Sequence, residues 1–182
     1  MPQLTIDIAA LKNNLQLIKK LANGKKVMAM VKANAYGHGL LDVATALPDV
    51  DCLAVARFKD AMFLRNNGIN KRVVVLSGAQ SAQEFALCAQ HKIDSVLHDP
   101  AQLEFLEASS ATEPVQLWVK IDTGMHRLGF STDDGPAIIS ELKTNPKVKD
   151  HIEVMTHLAN ADDLQHQLNS VQIKALEALN NP

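Results

Sequence analysis

Val27-Met28-Ala29-Met30-Val31-Lys32-Ala33-Asn34-Ala35-Tyr36-Gly37-His38-Gly39 runs from five apolar residues into a lysine, then a small polar segment and two glycines. An unbroken apolar run of this length fits a parallel strand buried on both faces. Lys32 then stands at the carboxyl end of that strand, where α/β folds place their ligands. Desolvation disfavours the charged form of a buried lysine, and a neutral amine attacks an aldehyde to form a Schiff base. The alternative is a strand-end lysine whose stem packs while its ammonium reaches solvent. Asn34 and His38 are polar and loop-borne, with no role assigned. A helical pattern begins at Leu40.

Working outward, Asp7 reads as the N-cap of a helix whose Ile8, Leu11, Leu15, Ile18 and Ala22 recur at helical spacing, with Gly24 as its stop. After the first strand, Leu40 to Leu47 reads as a helix ended by Pro48. Cys52 to Arg57 is a second strand, and Phe58 to Asn67 a helix closed by Gly68. Arg72 to Leu76 is a third, β-branched strand. Ser81 with Glu84 forms a capping box for a helix over Ala82 to Gln90. Ile93 to Leu97 is the fourth strand, and Asp99-Pro100 starts a helix reaching about Ala108. Val115 to Asp122 is the fifth strand, Pro136 to Leu142 a helix, Ile152 to Leu158 the sixth strand and Leu164 to Leu179 a last helix.

Strand and helix thus alternate with short connections, the signature of a parallel sheet with right-handed crossovers. An open doubly wound sheet and a closed barrel both satisfy it, but no G-x-G-x-x-G follows any strand, so a dinucleotide fold lacks its phosphate loop. No internal repeat, low-complexity segment or long linker breaks residues 1–182, so no internal domain boundary is expected.

The 47% apolar fraction is ordinary for a globular chain. A net charge of −2 gives no electrostatic footprint for nucleic acid. No apolar segment approaches the roughly 20 residues of a membrane span, and the amino terminus lacks the basic-then-apolar order of a secretory signal. Cys52 and Cys88 lie far apart in apolar surroundings and read as structural thiols of a cytoplasmic protein. The histidines show no metal-ligand spacing with them, so no metal is expected.

The fifth strand alternates. Val115, Leu117, Val119 and Ile121 share one face, while Gln116, Trp118, Lys120 and Asp122 share the other. In a barrel the second set faces the interior. There an unpaired ammonium is costly, so Lys120 needs a partner, such as Asp122, or a modification. Arg127 lies in the loop that follows, at the end where barrel enzymes carry their active sites. It offers a fixed fork of donors that never loses its charge; a surface arginine in water contact is the other reading. Met125 either lines that site or fills a gap in the core. His157 ends the sixth strand, where a histidine is a packed residue or a catalytic one.

Three stretches together resemble alanine racemases: the opening one, Val119-Lys120-Ile121-Asp122-Thr123-Gly124-Met125-His126-Arg127-Leu128-Gly129-Phe130, and Met155-Thr156-His157-Leu158-Ala159-Asn160-Ala161-Asp162-Asp163. The resemblance runs from Leu4 to the end and covers about the first half of such an enzyme. It implies a TIM-type (β/α)8 barrel, present here as six of its eight strands and without the carboxyl-terminal β domain. It also implies the cofactor pyridoxal 5'-phosphate, carried on Lys32, which is also the base for one enantiomer of alanine. Tyr36 is implied as a phosphate contact, with a packed aromatic at the barrel mouth as its alternative. Arg127 is implied as the holder of the cofactor's phenolate oxygen and as a substrate contact, and Lys120 as a carbamylated partner of Arg127. His157 is implied to sit beside the pyridine ring, orienting an arginine from a later strand. The opposite-face base of the family is a tyrosine from the partner subunit of a homodimer, whereas this chain holds only Tyr36.

The implied biology is L- to D-alanine conversion for bacterial peptidoglycan, in the cytoplasm, with little activity from this chain alone. Two alternatives remain at this point: a barrel enzyme with another amino-acid specificity, and a non-catalytic protein that binds and buffers pyridoxal phosphate. With strands seven and eight absent, Ala29-Met30-Val31 and Val154-Met155-Thr156 are expected to form open sheet edges that drive self-association.

Overall fold

The computed structural model describes residues 5–180, and within them two compact units divided between Leu76 and Ser77. Residues 1–4, part of the amino terminus read above for a secretory signal, and residues 181–182 lie outside the described residues. No helix among the described residues is long and apolar enough to cross a membrane.

The first unit opens with α1 (Ile8–Leu21), whose N-cap Asp7 accepts a hydrogen bond from the Ala10 amide at 2.9 Å. Strands β1 (Met28–Met30), β2 (Cys52–Val55) and β3 (Val73–Val75) pair in parallel in sequence order. Between β1 and β2 lie α2 (Lys32–Tyr36) and α3 (Leu40–Ala46), and α4 (Phe58–Asn66) crosses from β2 to β3. Leu53, Val55, Leu64 and the β-branched run Val73–Val75 are fully buried. The expectation of a first strand buried on both faces is corrected. β1 has a partner on one side only, so its residues are half-buried and Met30 is exposed.

In the second unit, β4 (Asp94–Leu97), β5 (Leu117–Lys120) and β6 (Glu153–Met155) again pair in parallel and in order. They alternate with α5 (Ala82–Gln90), α6 (Pro100–Ala108) and α7 (Gly135–Lys143), and α8 (Gln167–Asn180) follows. Phe85, Leu97, Leu106, Leu117 and Ile121 form the buried interior. The alternation on β5 holds through Val119, with Leu117 and Val119 buried and Gln116 and Trp118 half-buried, and ends at Lys120, which is buried as well. Ser81 caps α5 by accepting from the Glu84 amide, but Glu84 reaches back to the Gln80 amide rather than to that of Ser81. Cys52 and Cys88 are free and buried; burial, reinforced by Glu84 and Asp94, pushes the Cys88 thiol up to about 12.

Strand ends are shorter than the periodicity predicts. The fifth expected strand is taken up at its ends by isolated bridges, Val115 to Val148 and Ile121 to Phe130. The sixth stops at Met155, whose carbonyl accepts the last ladder bond from the Ile121 amide; beyond it the His157 carbonyl accepts from Gln172 Nε2. The last helix starts at Gln167 rather than Leu164, after a turn in which the His166 ring accepts from the Leu168 amide. Among the described residues the chain is thus an α/β protein with six parallel strands, the number expected of an incomplete (β/α)8 barrel.

Candidate active site

Lys32 lies two residues beyond Met30, the last residue of β1. The Val31 amide still donates to Ala54 in the ladder at 2.8 Å, and the chain then changes hand. Ala33, Asn34, Ala35 and Tyr36 all have φ between 52° and 56°, so α2 is a single left-handed turn built from residues other than glycine. Each such residue costs about 1–2 kcal/mol, and strain of this kind concentrates where function dictates backbone geometry. The turn is held by Ala35 donating to Val31 and by Gly37, itself left-handed, donating to Ala33 and Asn34. The Asn34 side chain accepts from the Leu40 amide at 2.8 Å and so caps α3. His38 places its Nδ1 2.9 Å from the Ala35 carbonyl.

The result is a half-buried Lys32 whose Nζ lies 5.9 Å from the centre of the exposed Tyr36 ring. Burial is therefore less complete than the apolar run implies. Among the described residues no carboxylate pairs with Lys32.

The second unit contributes a different cluster. Lys120 ends β5 and is buried. Its pKa is lowered first by desolvation and then by the Arg127 guanidinium, with Asp122 pulling the other way. The Lys120–Asp122 ion pair considered from spacing is not formed, because the Asp122 carboxylate is committed elsewhere. Its Oδ1 accepts from the amides of Gly124, Met125 and His126, each at 3.0 Å, and its Oδ2 lies 3.5 Å from the exposed His126 ring. Burial pushes this carboxyl up, but the three amides and the His126 charge outweigh it and hold the group below its ordinary value.

The loop returns to β5 through Asp122 N–H to the Phe130 carbonyl and Phe130 N–H to the Lys120 carbonyl. Gly129, at φ +131°, permits that return, since a Cβ there would lie 2.7 Å from the Asp122 nitrogen. Arg127 is thus exposed on a loop tied at both ends and capped from within. Met125 is half-buried in the same loop.

His157 lies two residues beyond β6 and is exposed, not packed at a strand end. Its carbonyl accepts from Gln172 Nε2 at 3.0 Å. Gln172, Thr123 and Thr156 are the residues that sequence reasoning missed. Gln172 is fully buried on α8, bonded to both loops. A signal was available: Leu168, Gln172, Leu176 and Leu179 share one helical stripe, in which a glutamine is out of place.

The chain is thus of the α/β class, with Lys32 just past the first strand in one unit, and Lys120 at the end of the fifth strand and Arg127 in the loop after it in the other. Residues 6–181 match the family model for the alanine racemase N-terminal domain, and the chain belongs to that family. It is 39% identical to an alanine racemase of Shewanella woodyi over 98% of this chain, and 42% identical to one of Haemophilus influenzae over 90% of it. The crystal structure of the biosynthetic alanine racemase from Pseudomonas aeruginosa superposes with a TM-score of 0.91 at 36% identity, over 97% of this chain and 49% of that one. The chain spans about half the length of the curated relatives it matches, 50% and 46% in the two named.

Proposed function

We propose that the chain is the amino-terminal part of a pyridoxal-phosphate-dependent alanine racemase, which interconverts L- and D-alanine and supplies D-alanine for bacterial peptidoglycan in the cytoplasm. In the intact enzyme it works as a homodimer. The observation that carries the reading is Lys32, an amine at the end of β1 with no carboxylate partner among the described residues, within a chain of this family. Each unit by itself supplies donors that suit an anionic, carbonyl-bearing cofactor: the Lys32 amine and the exposed Tyr36 hydroxyl in the first, the Arg127 guanidinium and the buried Lys120 in the second.

When bound, the cofactor supplies an electrophilic carbonyl and an electron sink for the charge left at Cα. The protein moves the proton and fixes the orientation. Lys32 Nζ takes the Cα proton from one face and returns it there in the reverse direction. Tyr36 would hold the cofactor's phosphate, and Arg127, as a rigid fork, would hold its phenolate oxygen and neutralise the substrate carboxylate. His157 would serve the cofactor ring by orienting an arginine of the longer protein. Carbamylation of Lys120 turns a buried cation into an anion and gives Arg127 a partner. Inversion also needs an acid on the opposite face, and the only tyrosine in these 182 residues already stands beside Lys32.

Borohydride reduction of the chain with pyridoxal phosphate, followed by peptide mapping, is expected to place the label on Lys32. A label spread over surface lysines and absent from Lys32 overturns the assignment. Alone, the chain is expected to racemise alanine slower than an intact relative by at least about 10²–10⁴-fold, the usual cost of losing one acid–base group. A rate near that of the relative shows that another residue supplies the second proton.

A further inference from the structure

The loops after β5 and β6 are joined by side chains that belong to none of the three sequence motifs as chemistry-bearing groups. Thr156 Oγ1 donates to the Ile121 carbonyl at 2.9 Å, which uses its only proton. In the 2.7 Å contact between Thr156 Oγ1 and Thr123 Oγ1, Thr123 must therefore be the donor. Thr123 Oγ1 then accepts from Gln172 Nε2 at 3.3 Å, and the second Nε2 proton goes to the His157 carbonyl at 3.0 Å. Gln172 Oε1 accepts from the Ala159 amide at 2.9 Å. Every donor in the series is used once. A flipped Gln172 amide would set oxygen against the His157 carbonyl and NH2 against the Ala159 N–H, so the network admits one orientation. Gln172 is also packed against the first loop, because a Cβ on Gly124 would lie 3.5 Å from its Cγ.

We propose that Gln172 is a positioning residue which, through Thr123 and Thr156, locks the loops after β5 and β6 into one unit, so that the segments bearing Arg127 and His157 are set together. The catalytic consequence rests on the racemase reading above; the lock itself does not. A buried glutamine whose three bonds all go to loop groups is costly to leave partly satisfied. Both loops therefore adopt the single arrangement that completes the network. Asp122, which holds the Gly124, Met125 and His126 amides, shapes the first loop internally, and Gln172 ties that shaped loop to the second.

The test is site-resolved amide hydrogen exchange on the 182-residue chain, with Q172M, T123V and T123S. Methionine keeps the length of the side chain and removes its polar atoms. In Q172M, exchange at Ala159 is expected to rise, and with it exchange at Gly124, Met125 and His126, by about five- to tenfold. Those three amides donate to Asp122, not to Gln172, so a merely local role leaves them unchanged. The amides of α7 report global stability and are expected to stay level with each other and with the unaltered chain. T123V is expected to reproduce the effect at residues 124–126, and T123S, which keeps the hydroxyl, to restore protection.

Acceleration confined to Ala159 in Q172M, or T123S behaving as T123V, overturns the lock. If Q172M does not fold, the T123V and T123S pair decides alone. A parallel titration with pyridoxal phosphate is expected to show at least tenfold weaker retention in Q172M than in the unaltered chain. Failure of the unaltered chain to bind defeats the racemase reading and leaves the exchange result standing. Equal binding with unchanged loop exchange defeats the positioning role.

Discussion

Two positions put the local chemistry in measurable form. Ala33 is exposed at φ 52°, a conformation that glycine adopts without steric cost. Ala33→Gly is expected to raise stability by about 0.5–1 kcal/mol, the relief of a left-handed alanine less the added entropy of an unfolded glycine. A lower denaturation midpoint would show that the left-handed turn is not the resting state of the free chain. Lys120 tests the cationic cluster. Its native pKa lies below the ordinary 10.5 because of burial and Arg127. Below the native value the lysine is protonated in both states and the full penalty of burying it applies. As pH rises from there toward 10.5 the unfolded chain holds more protons, and stability rises. Lys120→Met is therefore expected to be more stable than the unaltered chain near neutrality, with an advantage that shrinks as pH approaches 10.5. Bicarbonate supplies the second arm: a carbamate on Nζ raises the midpoint of the unaltered chain alone, and no shift there refutes the modification.

Among elements, the loop from Asp122 to Phe130 shows how a motif reads differently once folded. Its residues were legible as an active-site segment, but Asp122 as the cap of three amides was not, because the side chain serves backbone groups that only the folded loop brings round it. Gly129→Ala is expected to cost about 1–3 kcal/mol, since φ +131° and a Cβ 2.7 Å from the Asp122 nitrogen both oppose it. Thermal unfolding measures the loss, and an unchanged midpoint would show that the loop can close another way. Helix starts were well marked in the sequence because capping is local: Asp7, Ser81 and Asp99 each accept from an amide two or three residues on. Strand ends were overestimated because an apolar run does not record where a ladder partner stops.

For the molecule, the consequence of the strand pairing is association. Among the described residues β1 pairs only with β2 and β6 only with β5, which leaves Met28–Met30 and Glu153–Met155 each with an unpaired backbone side. Their side chains are at most half-buried. Unsatisfied backbone groups beside apolar residues recruit other strands. The 182-residue chain is therefore expected to self-associate, with scattering mass rising over a concentration series. A monodisperse monomer at high concentration, with the amides of both strands protected from exchange, refutes this.

The alternation of strands and helices, the caps and the three motifs were all readable from residue order, since each depends on neighbours a few positions away. The placement of Lys32 at a strand end, and of Lys120 and Arg127 at another, followed from the same periodicity. Three features belonged to the folded chain alone. The left-handed turn of Ala33 to Tyr36 contradicts local propensity and persists through bonds from Gly37 and to Val31. Asp122 was released from Lys120 because loop amides outcompeted an ammonium for its oxygens. Gln172 sits in its helical stripe as an oddity until Thr123, His157 and Ala159, 49, 15 and 13 residues away, are folded against it. Sequence carries the interactions whose partners are near in the chain; these three depend on partners or backbone geometry that exist only once the loops have closed.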